Sequence, residues 1–164
     1  MDAPQANDID KILDLPLAVA DGVNTKYSLA KRYTFDEREA DYYLTAGEIL
    51  GLVQRKDGLC ILTEDGKKYC RMDPMQQKLM VIRKMVSSQV VALIIAELVA
   101  SDKKVISKDE IERLIEEPAD VHRETLSRRT ECLMKWFAWI GSEVGVFSAD
   151  SDTVRISTVG MDTQ

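Results

Sequence analysis

The sequence predicts a mainly α fold with small β-hairpins, an α+β chain in which one order of elements occurs twice. Arg38–Gly51 and Arg128–Gly141 both have apolar residues at helical spacing, begin with Arg and end on an aliphatic residue followed by Gly. A shorter helical segment precedes each, and two short apolar runs joined by a polar turn follow each. Helix, turn, helix and hairpin is the order of a winged helix-turn-helix. We therefore expect a tandem of winged helices, with domains at residues 8–72 and 73–160 and a shift of ninety residues between the copies.

The first half begins with two predicted helices. Asp8–Ala20 has apolar residues near helical spacing, although Pro16 should kink this helix or begin a second one. Asp21-Gly22 provides a stop, and Tyr27–Tyr33 forms the second, shorter helix.

A third helix and a hairpin complete this half. Thr34 and Glu37 have capping-box spacing, so the helix should begin near Phe35 and end at Gly51. Its inward face carries Ala40, Tyr43, Leu44, Gly47 and Leu50. Asp57-Gly58 between two apolar runs predicts the first hairpin.

The second half should open with a long connecting helix. Asp73, Pro74 and Gln76 are a capping acid, a first-turn proline and a third-position glutamine, which predicts a helix from Pro74 to Ala100, bent at Ser87-Ser88. Val105-Ile106 is then a short strand.

Two more helices and a second hairpin follow. Ser107 with Glu110 predicts a capped helix to Glu117, which Pro118 interrupts. Thr125 is the expected cap of the last helix, and Gly141 its stop. The hairpin pairs residues 144–147 with residues 154–158 across a polar turn.

Charge and cysteine content restrict the partners and the compartment. With 28 acidic and 22 basic residues the net charge is −6, which counts against tight nonspecific DNA binding but leaves room for a localised basic face. Cys60, Cys70 and Cys132 form no pair motif, which favours reduced thiols and a cytoplasmic protein. The amino-terminal residues resemble no secretory signal. The apolar run Val90–Ala100 is too short for a membrane span and is expected to be a buried helix, so no membrane partner is predicted.

The motifs of common enzymes do not occur in the chain. His122 is the one histidine and lies outside any metal-ligand spacing, so we predict no metal site. Glycine-rich phosphate loops and an arrangement of nucleophile and base are also missing. The sequence therefore predicts a protein that is not an enzyme and needs no cofactor.

The expected partner is double-stranded DNA, because the second helix of a helix-turn-helix enters the major groove. In the first half the candidate contacts are Thr34, Arg38, Tyr42 and, on the hairpin, Arg55 and Lys56. In the second half they are Arg123, Ser127, Arg128, Arg129 and Lys135. Arg can bind guanine bidentately, and Ser and Thr serve bases or phosphates. Each arginine could instead pair with a helix carboxylate, and Trp136 and Trp139 are expected in the core rather than on DNA.

The segment Gly22–Val53 resembles winged-helix modules of bacterial restriction-modification proteins. The resemblance is carried by Asn24-Thr25, Phe35–Arg38, Asp41–Tyr43 and Gly51–Val53. Glu124–Gly141, with its T-x-x-R-R and W-x-x-W-I features, looks like the second module that often follows. Together the two segments and their flanks cover most of residues 8–158. The resemblance implies DNA binding, sometimes as the recognition part of a larger endonuclease, and it implies no cleavage by this chain.

Three functional hypotheses remain open at the level of the sequence. The first is a non-catalytic DNA-binding module of a restriction-modification or transcription system. The second is a winged-helix module that binds a protein partner, which the acidic net charge and the acidic helix around Arg38 favour. The third is a homodimer built on the Val90–Ala100 helix, with DNA bound across the dimer.

Overall fold

The computed structural model of the chain describes residues 2–116 and 122–157, which form eight helices and five strands. The mainly helical α+β fold is confirmed. The chain divides into two compact units, an N-terminal unit of Asp2–Ser88 and a C-terminal unit of Gln89–Gln164. The N-terminal unit contains α1 (Ile9–Ala20), α2 (Lys26–Tyr33), α3 (Glu37–Ile49), β1 (Val53–Lys56), β2 (Leu59–Leu62), α4 (Glu64–Cys70) and α5 (Pro74–Ser87). The C-terminal unit contains α6 (Gln89–Ala100), β3 (Val105–Ser107), α7 (Lys108–Ile115), α8 (Arg123–Val144), β4 (Phe147–Ala149) and β5 (Thr153–Ile156).

The boundary between the units lies sixteen residues after the expected one, at residue 88 instead of residue 72. The predicted helix from Pro74 to Ala100 is two helices, because Ser88 adopts an extended conformation with ψ 144°. The Ser88 hydroxyl donates to the Met85 carbonyl oxygen at 2.6 Å, which satisfies one of the last carbonyls of α5. The capping box of Asp73 and Gln76 at the start of α5 is confirmed. Since α5 contacts α1 and α4, it belongs with the N-terminal unit.

Helix α1 continues through Pro16 as one element, so of the two alternatives, a kink or a second helix, the second was wrong. Pro16 is buried, and residues of α4 donate to carbonyl oxygens of α1 before this proline and at it. The Tyr69 hydroxyl donates to the Leu13 carbonyl oxygen at 2.6 Å, and the Cys70 thiol donates to the Pro16 carbonyl oxygen at 3.5 Å. Tertiary packing thus overrides the helix-breaking tendency of proline.

Helix α3 begins two residues later than the sequence suggested. Its cap is Asp36, whose carboxylate accepts from the Glu39 backbone N–H at 2.8 Å. Thr34 instead ends α2 in the left-handed conformation at φ 58°, which is incompatible with the extended backbone of a capping residue. The expected inward face of α3 is buried. With α1 it builds the core of this unit, which includes Leu15, Leu29, Leu44 and Val53.

The first hairpin has the expected geometry. Strands β1 and β2 pair antiparallel, with Val53 opposite Leu62 and Lys56 opposite Leu59. Asp57 and Gly58 have φ values of 51° and 78°, which is the signature of a type I′ turn. The sequence therefore identified both the turn residues and the strands.

The C-terminal unit contains a three-stranded antiparallel sheet in the order β3-β5-β4. Helix α7 begins with the predicted capping box of Ser107 and Glu110. The sheet and α7 pack against α6 and α8, whose buried residues include Ile94, Leu98, Leu133, Phe137 and Ile140. The predicted helix end at Glu117, the break at Pro118 and the strand end at residue 158 lie outside the described residues.

Both predicted ends of α8 were wrong. The helix begins at Arg123, where His122 is the cap and makes no side-chain capping bond, so Thr125 lies within the first turn. At its other end α8 passes through Gly141 and continues to Val144, where Gly145 adopts the left-handed conformation at φ 71°. Gly141 serves a different purpose. A Cβ atom at Gly141 would lie 2.1 Å from the Phe147 carbonyl oxygen, so glycine permits the close approach of β4 to the helix.

These corrections change the register of the internal repeat. Gly51 and Gly145 both end a helix in the left-handed conformation, and Gly47 and Gly141 both lie where a strand crosses it. Subtracting 51 from 145, or 47 from 141, gives a shift of 94. The hairpins agree, since the pair Val53 and Leu62 corresponds to the pair Phe147 and Ile156. The predicted shift of ninety was therefore wrong by four residues, about one helical turn, which leaves the apolar period almost unchanged.

The elements before the hairpins also correspond. Helices α1 and α6 have 12 residues each, and α2 and α7 have 8 residues each. Thr25 and Ser107 begin α2 and α7 with the same kind of capping box. In the C-terminal unit Ile106, the residue before Ser107, pairs with Val154 of β5. In the N-terminal unit Asn24, the residue before Thr25, makes the corresponding contact with β2. There the Cys60 N–H donates to the Asn24 carbonyl oxygen at 2.7 Å. The two units thus share one arrangement, with the third strand reduced to this contact in the N-terminal unit.

In the described part of the chain, no single helix has the length and apolar character needed to cross a membrane. Helices α5 and α6 meet that requirement of length and composition only when they are taken together as a bent pair.

Candidate nucleic-acid interface

Arg55, predicted to contact DNA from the first hairpin, is held by α3. Its Nε donates to a Glu48 carboxylate oxygen at 2.6 Å. Its two other nitrogens donate to Asp41 at 3.3 Å and to the Thr45 hydroxyl at 3.1 Å. Lys26, at the start of α2, also pairs with Asp41 at 2.6 Å, and this hydrogen bond raises the pKa of Lys26. The cations on this face are therefore matched by carboxylates of α3.

The other predicted residues of the N-terminal unit remain at the surface. Arg38 donates from Nε to the Tyr42 hydroxyl at 2.7 Å and lies 5.9 Å from the centre of that ring. Thr34 is exposed at the end of α2, and Lys56 is exposed beside the hairpin turn. Thr34, Arg38 and Lys56 are therefore exposed, whereas Arg55 is held by carboxylates of α3.

In the C-terminal unit α8 presents a mixed charged face. Glu124, Arg128, Glu131 and Lys135 follow one another at helical spacing, so they lie on one side of the helix. Arg128 Nη2 pairs with Glu124 at 2.5 Å, and Lys108 of α7 pairs with Glu131 at 3.4 Å. Lys135 is exposed and forms no ion pair with any residue that the structure describes.

The remaining predicted residues of α8 differ in accessibility. Arg123 is exposed at the first position of the helix, and Ser127 is half-buried one turn later. Arg129 is half-buried, and its Nε is buried without a hydrogen-bond partner in residues 2–116 and 122–157. This inward orientation makes Arg129 a poor contact for an external ligand. Trp136 and Phe137 are fully buried, as predicted, whereas Trp139 is half-buried.

With the repeat shifted by 94 residues, different residues of the two units correspond from those paired by the predicted shift of ninety. With a shift of 94, Arg38 corresponds to buried Cys132 and not to Arg128. Acidic Asp41 corresponds to exposed Lys135, and apolar Ile61 corresponds to exposed Arg155. The helix and hairpin of the C-terminal unit therefore carry cations where their N-terminal counterparts carry an acid or an apolar side chain.

Arg155 is a candidate contact that the sequence reasoning missed. It lies on β5 opposite Ser148, both side chains are exposed, and its Nη2 donates to Thr153 at 3.3 Å. The signal was available, because Arg155 alternates with buried Val154 along the strand. The turn of this hairpin is fixed by Asp150, whose carboxylate accepts from the N–H groups of residues 152 and 153 at 2.8 Å each. Those hydrogen bonds lower the pKa of Asp150.

Among the described residues no group of three or more His, Cys, Asp or Glu side chains is placed to hold a metal ion. Two open clefts occupy corresponding places in the two units. One lies between α2 and α3 and includes Tyr27 and Lys31, and another lies between α7 and α8 and includes Asp109 and Arg113. These four residues correspond in pairs with a shift of 82, so Asp109 stands in the second cleft where the first has Tyr27, whereas Lys31 and Arg113 both supply a cation.

Comparison with known proteins gives one family. A family model with the description "Domain of unknown function (DUF7226)" matches residues 11–144, which cover most of the chain from α1 to the end of α8. No curated protein and no solved structure matches the chain.

Proposed function

The chain belongs to the DUF7226 family, and we propose that it is a non-catalytic protein of tandem winged helices that binds duplex DNA. It would act as the recognition or regulatory module of a restriction-modification or transcription system. The C-terminal unit is the DNA-binding half of this proposal, with α8 as the recognition helix.

One observation carries the proposal, namely the arrangement of the C-terminal unit. Its elements follow the order α6, β3, α7, α8, β4, β5, and the sheet order is β3-β5-β4. This order of elements is the one expected of a helix-turn-helix followed by a hairpin, and the strand before α7 pairs with the hairpin strand β5. The arrangement supports a winged helix, in which the second helix of the motif enters the major groove.

The charged side chains of this unit support specific contacts. Arg123 lies at the amino-terminal end of α8, the part of a recognition helix that reaches base edges. Arg128 and Lys135 lie on one side of the same helix, about 10 Å apart along its axis. Arg155 on the hairpin adds a fourth cation. Arg128 pairs with Glu124, whose side chain is 76% exposed, and an ion pair this exposed contributes little to stability.

The test is the affinity of the full chain for a random-sequence duplex, measured by fluorescence anisotropy at several salt concentrations. Replacing Arg128 and Lys135 by Ala should weaken binding about tenfold or more and flatten the dependence of log K on log salt concentration by about two. The matched control replaces Lys67 of α4 and Arg71, which follows that helix, by Ala, and so changes the net charge equally on the other unit. An equal loss in the control would refute the assignment to α8, since charge alone would explain it. Arg129 is left unchanged because its Nε is buried.

A second candidate function is protein binding by the N-terminal unit. The observation that favours it is the charge network of α3, in which Asp41 and Glu48 already hold Arg55 and Lys26. Cations that are already paired in this way offer little free positive charge to phosphates. Under this proposal, DNA binding with a shallow salt dependence, or none, would accompany tight binding of a protein.

Dimerisation through α6 remains a further proposal. Ala92 and Ala96 are exposed on this helix, and Val99 is 52% exposed, so an apolar strip remains open to a second copy. Sedimentation equilibrium of the chain and of a Val99→Glu variant tests this, because a dimer built on α6 should dissociate in the variant. A monomer at every concentration would contradict it.

A further inference from the structure

A groove runs along the surface between α4 and α5 in the N-terminal unit. Its volume is about 630 Å³, and its lining includes Lys68, Met72, Leu79, Met80, Arg83 and Lys84. The lining residues of α5 recur every three or four positions, so they form one side of this helix. The opposite side of α5, with Val81, Ile82 and Met85, is buried in the unit.

The groove has an apolar surface that the chain leaves uncovered. Leu79 is 46% exposed, and Met75, on the adjacent turn of α5, is 68% exposed. Met72 and Met80 are half-buried along the same surface. Unbranched methionine side chains adapt to different partners and are common at surfaces that bind amphipathic helices.

The edges of the groove are basic although the chain is acidic. Residues 64–88 contain six Lys and Arg residues against three Asp and Glu residues, a net charge of +3 in a chain of −6. The one carboxylate of the lining, Asp65, is paired with Lys84 and lies 3.9 Å from Lys68. Arg83 is exposed and makes no ion pair with the described residues. The charge that remains available at the groove is therefore positive.

We propose that the groove between α4 and α5 binds an acidic amphipathic helix of a partner protein. The apolar stripe of such a helix would lie on Leu79 and the methionines, and its flanking carboxylates would meet Arg83 and Lys68. Helix α5 has 14 residues, so the groove accommodates about four turns of a partner helix.

The combination of surfaces selects this partner over other anionic ones. Duplex DNA presents phosphates along its backbone but no apolar stripe, so it would leave Met75 and Leu79 in water. A helix that is apolar on one side and acidic on both flanks satisfies the apolar floor and the basic edges together. Charge complementarity would also speed association and disfavour basic partners.

The proposal is independent of DNA binding by the C-terminal unit. The groove lies entirely within residues 65–87, whereas the proposed DNA contacts lie in α8 and β5. Variants at Arg83 and at Arg128 therefore distinguish a failure of one proposal from a failure of the other.

The experiment measures binding of the full chain to a fluorescein-labelled synthetic peptide of about 16 residues. The peptide carries Leu at helical positions i, i+3, i+4 and i+7, Glu on both flanks and Ala elsewhere. One control peptide has the same composition in an order without helical period, and another has Lys in place of Glu. We expect saturable binding of the acidic amphipathic peptide and at least tenfold weaker binding of both controls.

Two variants locate the site. Leu79→Glu and Arg83→Glu change exposed side chains, so the fold should persist, and each should weaken peptide binding about tenfold or more, which equals about 1.4 kcal/mol. Arg113→Glu on α7 is the matched control and should leave peptide affinity unchanged. Circular dichroism of each variant verifies its folding.

Four results would overturn the proposal. They are no saturable binding up to about 1 mM peptide, equal affinity for the unordered control, equal loss in Arg113→Glu, and binding unchanged by Leu79→Glu. Titration of the same variants with duplex DNA and with vesicles of anionic phospholipid tests whether the groove binds one of these ligands instead of a helix. A loss of DNA or vesicle binding in Arg83→Glu, with no effect on the peptide, would assign the groove to that ligand instead. Self-association abolished by Leu79→Glu would assign it to a second copy.

Discussion

Replacing Gly141 by Ala should strongly destabilise the C-terminal unit, although alanine is the better helix former. Gly141 lies inside α8, where a change from Gly to Ala at an exposed position gains about 1 kcal/mol of helix stability. The added Cβ atom, however, would lie 2.1 Å from the carbonyl oxygen of Phe147 and 2.9 Å from its carbonyl carbon. These atoms are backbone, so no side-chain rotation relieves the contact.

The size of the destabilisation depends on the displacement that the added Cβ atom forces on β4. Strand β4 has to retreat by more than 1 Å to restore an ordinary contact, and it pairs with β5 through Phe147, Ser148 and Ala149. The Phe147 ring packs edge-on against buried Phe137, with ring centres 5.2 Å apart. Overpacking of a core typically costs about 1–3 kcal/mol. Because backbone, sheet and ring all shift here, we expect a cost of about 3 kcal/mol, the upper end of that range. The gain in helix propensity of about 1 kcal/mol reduces this to a net loss of about 2 kcal/mol in the free energy of unfolding.

Urea unfolding followed by tryptophan fluorescence measures this loss of stability in the C-terminal unit. Both tryptophans, Trp136 and Trp139, lie in α8, so the signal reports on the C-terminal unit alone. The control is Ala138→Gly at an exposed position of the same helix, which should cost about 1 kcal/mol through helix propensity. If Gly141→Ala is as stable as the wild type or more stable, the close approach of β4 and the corrected repeat register are both refuted.

The remaining predictions concern caps, a buried hydrogen bond and a thiol. Ser107→Ala should lower the free energy of unfolding by about 1 kcal/mol, because it removes the cap of α7. Thr125→Ala should change it by less than about 0.5 kcal/mol, because Thr125 lies within the first turn of α8. Equal losses for the two variants in thermal unfolding would contradict the assigned start of α8. Tyr69→Phe should lower the free energy of unfolding by about 1 kcal/mol, because it removes the hydroxyl that donates to a carbonyl oxygen of α1 from a fully buried side chain. Urea unfolding followed by circular dichroism measures this loss. An unchanged stability would contradict that hydrogen bond. Burial raises the pKa of Cys60 from 9.0 to about 11, so its contribution to stability is complete below about pH 9 and is lost as the pH rises towards 11. A thiol reagent at pH 8 should modify half-buried Cys70 before Cys60, and the reverse order, read by mass spectrometry, would contradict the assigned burial.

Local sequence signals predicted much of the fold. The capping boxes at Ser107 and Asp73 and the Asp57-Gly58 turn are decided within four or five residues, and the structure contains all three. The start of α3 was misjudged because Thr34 and Asp36 both have capping side chains, and only the left-handed backbone at Thr34 decides between them.

Tertiary contacts explain the larger errors. The helical apolar period repeats after about one turn, so the sequence could not separate a shift of 90 from a shift of 94. Only the approach of a strand to Gly47 and Gly141 fixes the register. Likewise, the continuity of α1 through Pro16 depends on contacts with α4, which is more than fifty residues away in the chain.

At the candidate site, too, some features follow from the local sequence and others depend on tertiary contacts. Exposure of Lys135 follows from its position on the helix, whereas Arg123 was expected before the helix and lies at its first position. The capture of Arg55 by α3 depends on how the hairpin folds back, and the inward Nε of Arg129 depends on packing around α8. Arg155 needed only the alternation of β5, which the sequence contains.

DNA binding by the C-terminal unit is tested by the backbone amide chemical shifts of the full chain during titration with a random-sequence duplex. We expect the largest changes in residues 123–135 of α8 and in the hairpin of β4 and β5. We expect small changes in α3 and along the groove between α4 and α5. No change at any DNA concentration, or changes concentrated in the N-terminal unit with α8 unaffected, would contradict the proposal that the C-terminal unit binds duplex DNA.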